Sequence, residues 1–177
     1  MKLRSLGMRF CAVLASLSTV VALGCSASPV ASEPRAPVGA PIPHVALVSI
    51  DGQPTDLDAI RAGKPALVSF WATWCEACRK EFDALNRLDE RVKSGDAVVI
   101  GINVGETSSV AAAFVKSHDL RYVQLVDEAF GLADALGQRQ VPATLVLDRD
   151  GRIVYSGGTL DENALVAFRH AMNEKAP

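Results

Sequence analysis

The stretch Trp71-Ala-Thr-Trp-Cys75-Glu-Ala-Cys78 decides the fold of this 177-residue chain. It follows an apolar run, residues 66–70, that is typical of a buried central strand. It precedes apolar residues at helical spacing, namely Phe82, Leu85, Leu88 and Val92. Two cysteines three positions apart at a strand-to-helix junction can form a small disulfide ring, and a helix N-terminus favours the thiolate of the first. The stretch therefore predicts a redox-active cysteine pair.

The composition favours one folded domain with a short appendage. Apolar residues make up 49% of the chain and charged residues 21%, which allows a buried core. The formal net charge is −2, and no basic stretch is interleaved with aromatic residues. Nucleic acid is therefore not an expected partner.

The N-terminus has the pattern of a secretory signal peptide over residues 1–24. Lys2, Arg4 and Arg9 form a positive region, and residues 10–24 are uncharged and mostly apolar. That run is short for a membrane span, although an uncleaved signal anchor is an alternative. The chain is therefore expected to be exported.

Residues 22–25, Ala-Leu-Gly-Cys, resemble a bacterial lipobox. The resemblance implies that Cys25 is lipidated and becomes the mature N-terminus, anchored at the periplasmic face of a bacterial membrane. Cleavage by the ordinary signal peptidase between residues 26 and 32 is the alternative. Since Cys11 lies within the signal, acylation of Cys25 would leave Cys75 and Cys78 as a closed pair of thiols.

A flexible, lipid-anchored linker is predicted over residues 25–41, because this segment is rich in Ser, Ala and Pro and has no apolar period. The folded domain is predicted over residues 42–177, a common size for a single domain.

The order of the predicted elements indicates an α/β fold. Strands are expected at 45–50, 66–70, 97–102 and 122–126, and in a hairpin of 144–147 with 153–155 around Asp150-Gly151. Helices are expected at 57–62, 75–92, from a cap at Thr107 or Ser108 to 117, from Asp127 to Gly137, and from a cap at Asp161 to 173. Alternating strands and helices with a hairpin at one edge predict a three-layer α/β/α sandwich around a mixed sheet.

Residues 70–82, Phe-Trp-Ala-Thr-Trp-Cys-Glu-Ala-Cys-Arg-Lys-Glu-Phe, resemble the active site of the thioredoxin superfamily. They are most similar to the TlpA/ResA-like extracytoplasmic thiol-disulfide reductases, and Val141-Pro142 and the stretch between Gly105 and Gly137 extend the resemblance. It covers most of residues 42–171 and implies a thioredoxin-like fold. Ala77 departs from the family pattern, in which proline often precedes the second cysteine.

The two cysteines have different expected roles. Cys75 is the expected nucleophile, with a thiol pKa below the free value of about 8.5. Cys78, one helical turn on and more buried, would attack Cys75 in a mixed disulfide and release the reduced partner.

The resemblance also assigns roles to residues around the cysteines. Glu81 is implied to lie near the thiols and to tune them or relay a proton, since Ser69 stands where thioredoxins have a buried Asp. A solvated glutamate on a helix face is the alternative for Glu81. Pro142 matches the cis-proline of the superfamily and would turn the backbone of Val141 toward the substrate, whereas the alternative is an ordinary trans proline.

Three further residues of the motif are candidates for substrate contact or for packing. Trp74 is expected on the substrate-facing surface, and Glu76 is expected to be exposed, where its charge affects the thiolate and the choice of partner. Trp71 fits core packing and function equally well.

The resemblance implies an enzyme that reduces protein disulfides outside the cytoplasm, for example in cytochrome c maturation or at a copper-site cysteine pair. Its redox group would be the Cys75–Cys78 disulfide, with no other cofactor and no metal, and a membrane thiol-electron donor would reduce that disulfide again.

A copper-delivery protein is one alternative, although such relatives usually separate the cysteines by three residues and add a distal His. A peroxiredoxin-like peroxidase would need Pro-x-x-x-Thr-x-x before its cysteine, and Pro65 is not in that position. Half of a zinc site would need a second cysteine pair or spaced histidines, which His44, His118 and His170 do not provide.

Overall fold

The computed structural model of the protein describes residues 36–92 and 95–173. These residues belong to one compact unit that spans residues 33–177. The predicted signal peptide, the lipidation site Cys25 and the linker before residue 36 lie outside the described residues. Among the residues described, no helix is both long and apolar enough to cross a membrane.

A mixed sheet of seven strands forms the centre of the domain. The strands are β1 (Leu47–Ser49), β2 (Pro54–Thr55), β3 (Ala66–Trp71), β4 (Val98–Val104), β5 (Val123–Asp127), β6 (Ala143–Leu147) and β7 (Ile153–Gly157), in the spatial order β2-β1-β5-β4-β3-β6-β7. The pairs β3–β4 and β4–β5 are parallel, and the other pairs are antiparallel. The predicted mixed sheet is confirmed, and the two-residue edge strand β2 is an element that sequence reasoning missed.

Helices cover both faces of the sheet. They are α1 (Leu57–Arg61), α2 (Glu76–Arg79), α3 (Phe82–Val92), α4 (Ser108–Ser117), α5 (Gly131–Ala135) and α6 (Glu162–Asn173). One apolar cluster joins α1 and α5 to Val68 and Phe70 of β3. A second cluster joins α3, α4 and α6 to Leu67 and Trp71 on the opposite face of the same strand. The three-layer α/β/α sandwich follows from this division.

Strand β3 is buried along its whole length. Because successive side chains of a strand point to opposite faces, residues 67, 69 and 71 meet one helical layer and residues 68 and 70 meet the other. The polypeptide leaves β3 at Trp71 and enters the loop that carries the cysteines. The start of that loop is therefore anchored in the core.

The folded domain begins before residue 42, the position predicted for its N-terminal boundary. Ala36 is buried, the Gly39 N–H donates to the Ile153 carbonyl at 2.7 Å, and the Ile42 N–H donates to the Gly151 carbonyl at 2.8 Å. Pro41 also forms an isolated antiparallel β-bridge with Arg152. Residues 36–41 therefore belong to the folded domain, because their backbone pairs with the hairpin of β6 and β7.

The helix predicted over residues 75–92 is two helices, α2 and α3. Between them the Glu81 N–H donates to the Cys78 carbonyl at 3.0 Å, which is the tighter spacing of a 3₁₀ turn. Regular bonding resumes where the Leu85 N–H donates to the Glu81 carbonyl at 2.9 Å. Glu81 therefore lies at the junction of two helices.

Two of the predicted helix caps are confirmed and one differs. Thr107 caps α4 through Val110, and Asp161 caps α6 by accepting the Ala164 N–H at 2.8 Å. Asp127 ends β5, and its carboxylate accepts the Ala133 N–H at 2.8 Å inside α5. Phe130 occupies the N-cap position of that helix. Asp127 therefore binds a backbone N–H of the first turn of α5 without being its N-cap.

Candidate active site

Cys75 and Cys78 form a disulfide with an S–S distance of 2.02 Å. Cys75 is the N-cap of α2, and its Sγ accepts the backbone N–H of Cys78 at 3.1 Å. The residues are 4% and 1% exposed. After reduction, the same N–H favours a thiolate at Cys75, and Cys78 is the more enclosed of the two.

The loop before Cys75 is held by side chains that bind three polar groups of Thr73: its N–H, its hydroxyl and its carbonyl. Glu106 accepts the Thr73 N–H at 2.8 Å and also the Thr73 hydroxyl. Arg79 donates to the Thr73 carbonyl at 2.8 Å. Asn103, which is fully buried, donates to the same Glu106 carboxylate at 2.7 Å. The clamp formed by Glu106 and Arg79 fixes the backbone two residues ahead of Cys75.

Sequence reasoning missed Glu106 and Asn103, although one signal could have found them. Strands β3 and β4 are parallel neighbours, and Trp71 is in register with Asn103. Their carboxyl ends therefore lie at the same edge of the sheet, where α/β proteins commonly place functional residues. An acidic residue shortly after β4 was thus a candidate neighbour of the cysteine loop.

Trp71 is fully buried and acts in core packing. Its indole N–H donates to Gln124 Oε1 at 3.0 Å. Its ring packs edge-on against Phe82, with ring centres 5.8 Å apart, and against Phe114 at 5.3 Å. Of the two interpretations of Trp71, the structure favours packing that holds the end of β3.

The Val141–Pro142 peptide bond is cis, as predicted. Val141 and Trp74 line a cavity of about 390 Å³, and Trp74 is 69% exposed. The cavity adjoins the cysteine loop because Trp74 directly precedes Cys75. The structure thus brings together two of the three residues that were expected to contact substrate, Trp74 and Val141, whereas Glu76 does not line the cavity.

Phe130 also lines this cavity and was not singled out from the sequence. Its backbone is left-handed (φ 59°), and its side chain is 48% exposed. A Cβ at Gly105 would lie 2.1 Å from Phe130 Cζ, so only glycine leaves room for the ring there. An exposed aromatic ring in an unfavourable backbone conformation suggests a functional role.

Glu81 is half-buried rather than solvated. Its Oε1 accepts the Leu160 N–H at 3.0 Å, and its Oε2 is buried with no hydrogen-bond partner in the described part of the chain. Burial raises the pKa of Glu81, and the Leu160 N–H offsets this only in part. Glu76, the first residue of α2, is exposed as expected, whereas Ser69 of β3 is buried.

Comparisons with known proteins agree with this geometry. The AhpC/TSA family model matches residues 38–156, more than half of the chain. The thiol-disulfide oxidoreductase ResA of Bacillus subtilis is 28% identical over 128 residues, which cover 72% of this chain and 71% of ResA. The thiol:disulfide interchange protein DsbE of Pseudomonas fluorescens biotype C is 35% identical over 121 residues, covering 68% of this chain and 66% of DsbE.

Two solved structures share the fold. The thioredoxin domain of a thiol-disulfide oxidoreductase from Bacteroides vulgatus superposes with a TM-score of 0.65 at 19% identity, covering 76% of this chain and 96% of that domain. A secreted thiol-disulfide isomerase from Corynebacterium glutamicum superposes with a TM-score of 0.65 at 24% identity, covering 75% of this chain and 86% of the isomerase. The chain has a thioredoxin-like fold and belongs to the AhpC/TSA family.

Proposed function

We propose that this protein is a thiol-disulfide oxidoreductase that reduces disulfides of other proteins outside the cytoplasm. The observation that carries the proposal is the Cys75–Cys78 disulfide at the end of β3, beside a cis-proline and an open cavity. The relatives support it because they are named ResA and DsbE and described as thiol-disulfide oxidoreductase or interchange proteins. The secreted isomerase of the same fold supports a location outside the cytoplasm.

The two cysteines suffice for a balanced reaction. In the reduced enzyme the Cys75 thiolate attacks a substrate disulfide, so one sulfur leaves as a thiolate and a mixed disulfide forms. Cys78 then loses its proton and attacks Cys75 Sγ, which releases the second substrate sulfur. The substrate gains two electrons, and the enzyme ends with the Cys75–Cys78 disulfide as its only redox group.

Glu81 is the proposed proton acceptor for Cys78. A half-buried carboxyl with a raised pKa exchanges protons nearer neutral pH than an exposed one does. When Cys78 attacks, the Glu81 carboxylate takes its proton, and the resulting carboxyl returns that proton to the departing substrate thiolate. Glu81 is then ready for another cycle.

The cavity beside Trp74 and Val141 is the proposed binding place for the substrate polypeptide. Its walls are largely apolar, and Val141, next to the cis-proline, is one of its lining residues. The exposed Glu76 lies next to Cys75, where its charge would favour some partners over others. The cytochrome c maturation proteins are candidate substrates by the family resemblance.

Reduction of the Cys75–Cys78 disulfide after each cycle requires a dithiol donor, for which we propose a membrane thiol-electron transporter. Lipidation of Cys25, with the signal peptide removed and the linker before residue 36 as a tether, would keep the domain near such a donor. Mass spectrometry of the mature N-terminus tests this anchor, because a chain that begins at a diacylated Cys25 is heavier than one cleaved between residues 26 and 32 by the lipid and by the residues that the second cleavage removes.

The reduction potential of the Cys75–Cys78 couple tests the proposed direction of electron flow. The full-length protein in detergent would be equilibrated with a dithiothreitol or glutathione series and its thiols counted. A value near or below about −270 mV supports a reductase, and a value near −120 mV overturns reduction in favour of disulfide donation. A couple that cannot be measured, together with copper binding by the reduced protein, would favour the copper-delivery alternative, and rapid peroxide consumption would favour the peroxidase.

A further inference from the structure

The segment that presents Cys75 is a tight turn. The Cys75 N–H donates to the Ala72 carbonyl at 3.1 Å, which is the hydrogen bond of a β-turn. Thr73 and Trp74 are the two central residues of this turn. Rotation of the peptide unit between two central residues converts one type of β-turn into another. The position of Cys75 relative to Cys78 therefore depends on how firmly this turn is held.

Side chains from other elements bind both peptide units that flank Thr73. Glu106 accepts the Thr73 N–H at 2.8 Å, and Arg79 donates to the Thr73 carbonyl at 2.8 Å. Neither hydrogen bond involves a cysteine, so both can remain when the disulfide is reduced. The turn is therefore restrained by contacts that do not depend on the S–S bond.

The two clamp residues are themselves held in place. Glu106 Oε2 accepts a hydrogen bond from the Asn103 side chain at 2.7 Å, and Asn103 is fully buried in β4. The Arg79 guanidinium lies over the ring of Phe114, with its central carbon 5.6 Å from the ring centre. Because both partners are already ordered, they lose little conformational entropy when they bind the turn. The clamp is therefore a rigid support for Thr73.

A restrained turn favours the disulfide over the dithiol. Closing a disulfide removes conformational freedom that the two cysteines have as free thiols. Where the protein has already removed that freedom, the two sulfurs meet at a higher effective concentration, and the disulfide is harder to reduce. A dithiol whose disulfide is hard to reduce is a strong reductant. Such a dithiol is what the proposed function requires.

We propose that Glu106 and Arg79 are positioning residues for Cys75: by holding Thr73 they raise the effective concentration of the Cys75 thiol at Cys78 and so keep the reduction potential low. The purpose of this low potential rests on the proposed function, since only a reductase needs it. The clamp acts on the sulfur through the backbone of the turn, in the dithiol as well as in the disulfide.

The test is the reduction potential of the full-length protein in detergent, equilibrated with dithiothreitol and quantified by mass spectrometry of the alkylated Cys75 peptide. In this exchange the two enzyme thiols become a disulfide, and oxidised dithiothreitol takes up the two electrons and two protons. Thr73→Val removes the hydroxyl that donates to Glu106, and Glu106→Ala removes the acceptor itself. Each variant is expected to lower the equilibrium constant for disulfide formation several-fold, and a tenfold decrease would raise the potential by about 30 mV.

The opposite charges of the two clamp residues separate positioning from electrostatics. Glu106→Ala removes a negative charge, and Arg79→Gln removes a positive one. If charge alone acted on the Cys75 thiolate, the first change would stabilise the reduced form and raise the potential, and the second would lower it. The clamp predicts that both variants raise the potential. A fall in Arg79→Gln therefore overturns the inference.

Control variants separate the clamp from a general loss of stability. Thr73→Ser keeps the hydroxyl and should keep the wild-type potential. Glu128→Gln removes an exposed carboxylate just beyond β5, the neighbour of β4, and should also leave the potential unchanged. A contact that only stabilises the fold acts equally on the oxidised and reduced forms and does not move the potential. An unchanged potential in Thr73→Val and Glu106→Ala, or an equal shift in Glu128→Gln, overturns the inference.

Two features of the design keep each result decisive. Should Glu106→Ala fail to fold, the milder Thr73→Val and Arg79→Gln still test the clamp, and a rise in both is required. The shifts are measured relative to wild type and need no substrate, so the two proposals can fail separately. An oxidising wild-type potential that rises further in the clamp variants would overturn the reductase alone. A reducing wild type whose clamp variants have the same potential would overturn the positioning role alone.

Discussion

The carboxylate of Glu106 accepts both the backbone N–H and the side-chain hydroxyl of Thr73, a residue 33 positions away in the sequence. Arg79 binds the Thr73 carbonyl from the other side. The backbone that presents Cys75 is therefore held by one residue beyond the end of β4 and one in α2. Its geometry depends on how neighbouring strands end, as well as on the local motif.

Glu106→Ala should lower the stability of the oxidised protein. The Thr73 N–H would lose its acceptor in a partly buried place, and we expect a loss of roughly 1–3 kcal/mol in the free energy of unfolding. Guanidinium denaturation measures this, and Glu106→Gln, which keeps one acceptor, should lose less. The control Glu128→Ala, at an exposed position, should stay within about 0.5 kcal/mol of wild type. Equal losses at the two positions would contradict the clamp.

Cys78→Ser should trap the protein as a mixed disulfide with its substrate. Cys75 can still attack, but no second thiol is present to resolve the bond. Incubation with a disulfide-bonded protein such as insulin should give a covalent adduct on non-reducing gels that dithiothreitol removes. Cys75→Ser should give no adduct; an adduct of comparable yield would mean that Cys78 is the nucleophile.

Phe130→Ala should weaken binding of polypeptide substrates. The exposed ring lines the cavity beside Trp74, so its loss removes apolar contact area that only a polypeptide uses. We expect KM for a disulfide-bonded protein to rise several-fold, on the order of 1 kcal/mol of binding, with little change in the rate toward a small aliphatic disulfide. Val110→Ala removes a comparably exposed side chain from α4 and should leave both unchanged. A parallel fall in both rates for Phe130→Ala would point to a general loss of structure.

Gly101→Ala should destabilise the domain because the added methyl group meets Gln124 and Tyr122. Overpacking of this kind costs about 1–3 kcal/mol in the free energy of unfolding. Gly158→Ala is the matched control, since no atom outside its chain neighbours lies within 4 Å of its would-be Cβ and its φ is not positive. Thermal denaturation followed by circular dichroism measures both, and a neutral Gly101→Ala would mean that the two side chains move aside easily.

Glu81→Gln should stabilise the protein at neutral pH more than in acid. Burial raises the folded-state pKa of Glu81 above its unfolded value of 4.5, so the folded state binds the proton more tightly. The associated stability is fully present below pH 4.5 and is lost as the pH rises through the folded-state pKa. Glutamine cannot ionise and escapes that loss. Denaturation midpoints at pH 4 and pH 8 measure the effect, and the same difference at both values would show that Glu81 titrates normally.

Much of the fold could be predicted from local patterns. The apolar run of β3, the hairpin of β6 and β7, and the caps Thr107 and Asp161 depend on neighbouring residues, so the sequence carries them directly. The short strand β2 could not be predicted, because a strand of two residues is too short to show the alternation of apolar and polar side chains that indicates a strand. The break of α2 and α3 at Glu81 was missed because the apolar spacing continues across it.

The sequence by itself determined the chemistry of this protein: a cysteine pair at a strand-to-helix junction, with a proline that matches a cis position. The tertiary structure alone decided what surrounds that pair. Glu106 and Phe130 lie far from the cysteines along the chain and reach the site only because neighbouring parallel strands end at a common edge and the glycine at 105 leaves space. Such contacts depend on strand order and register, which local periodicity does not encode.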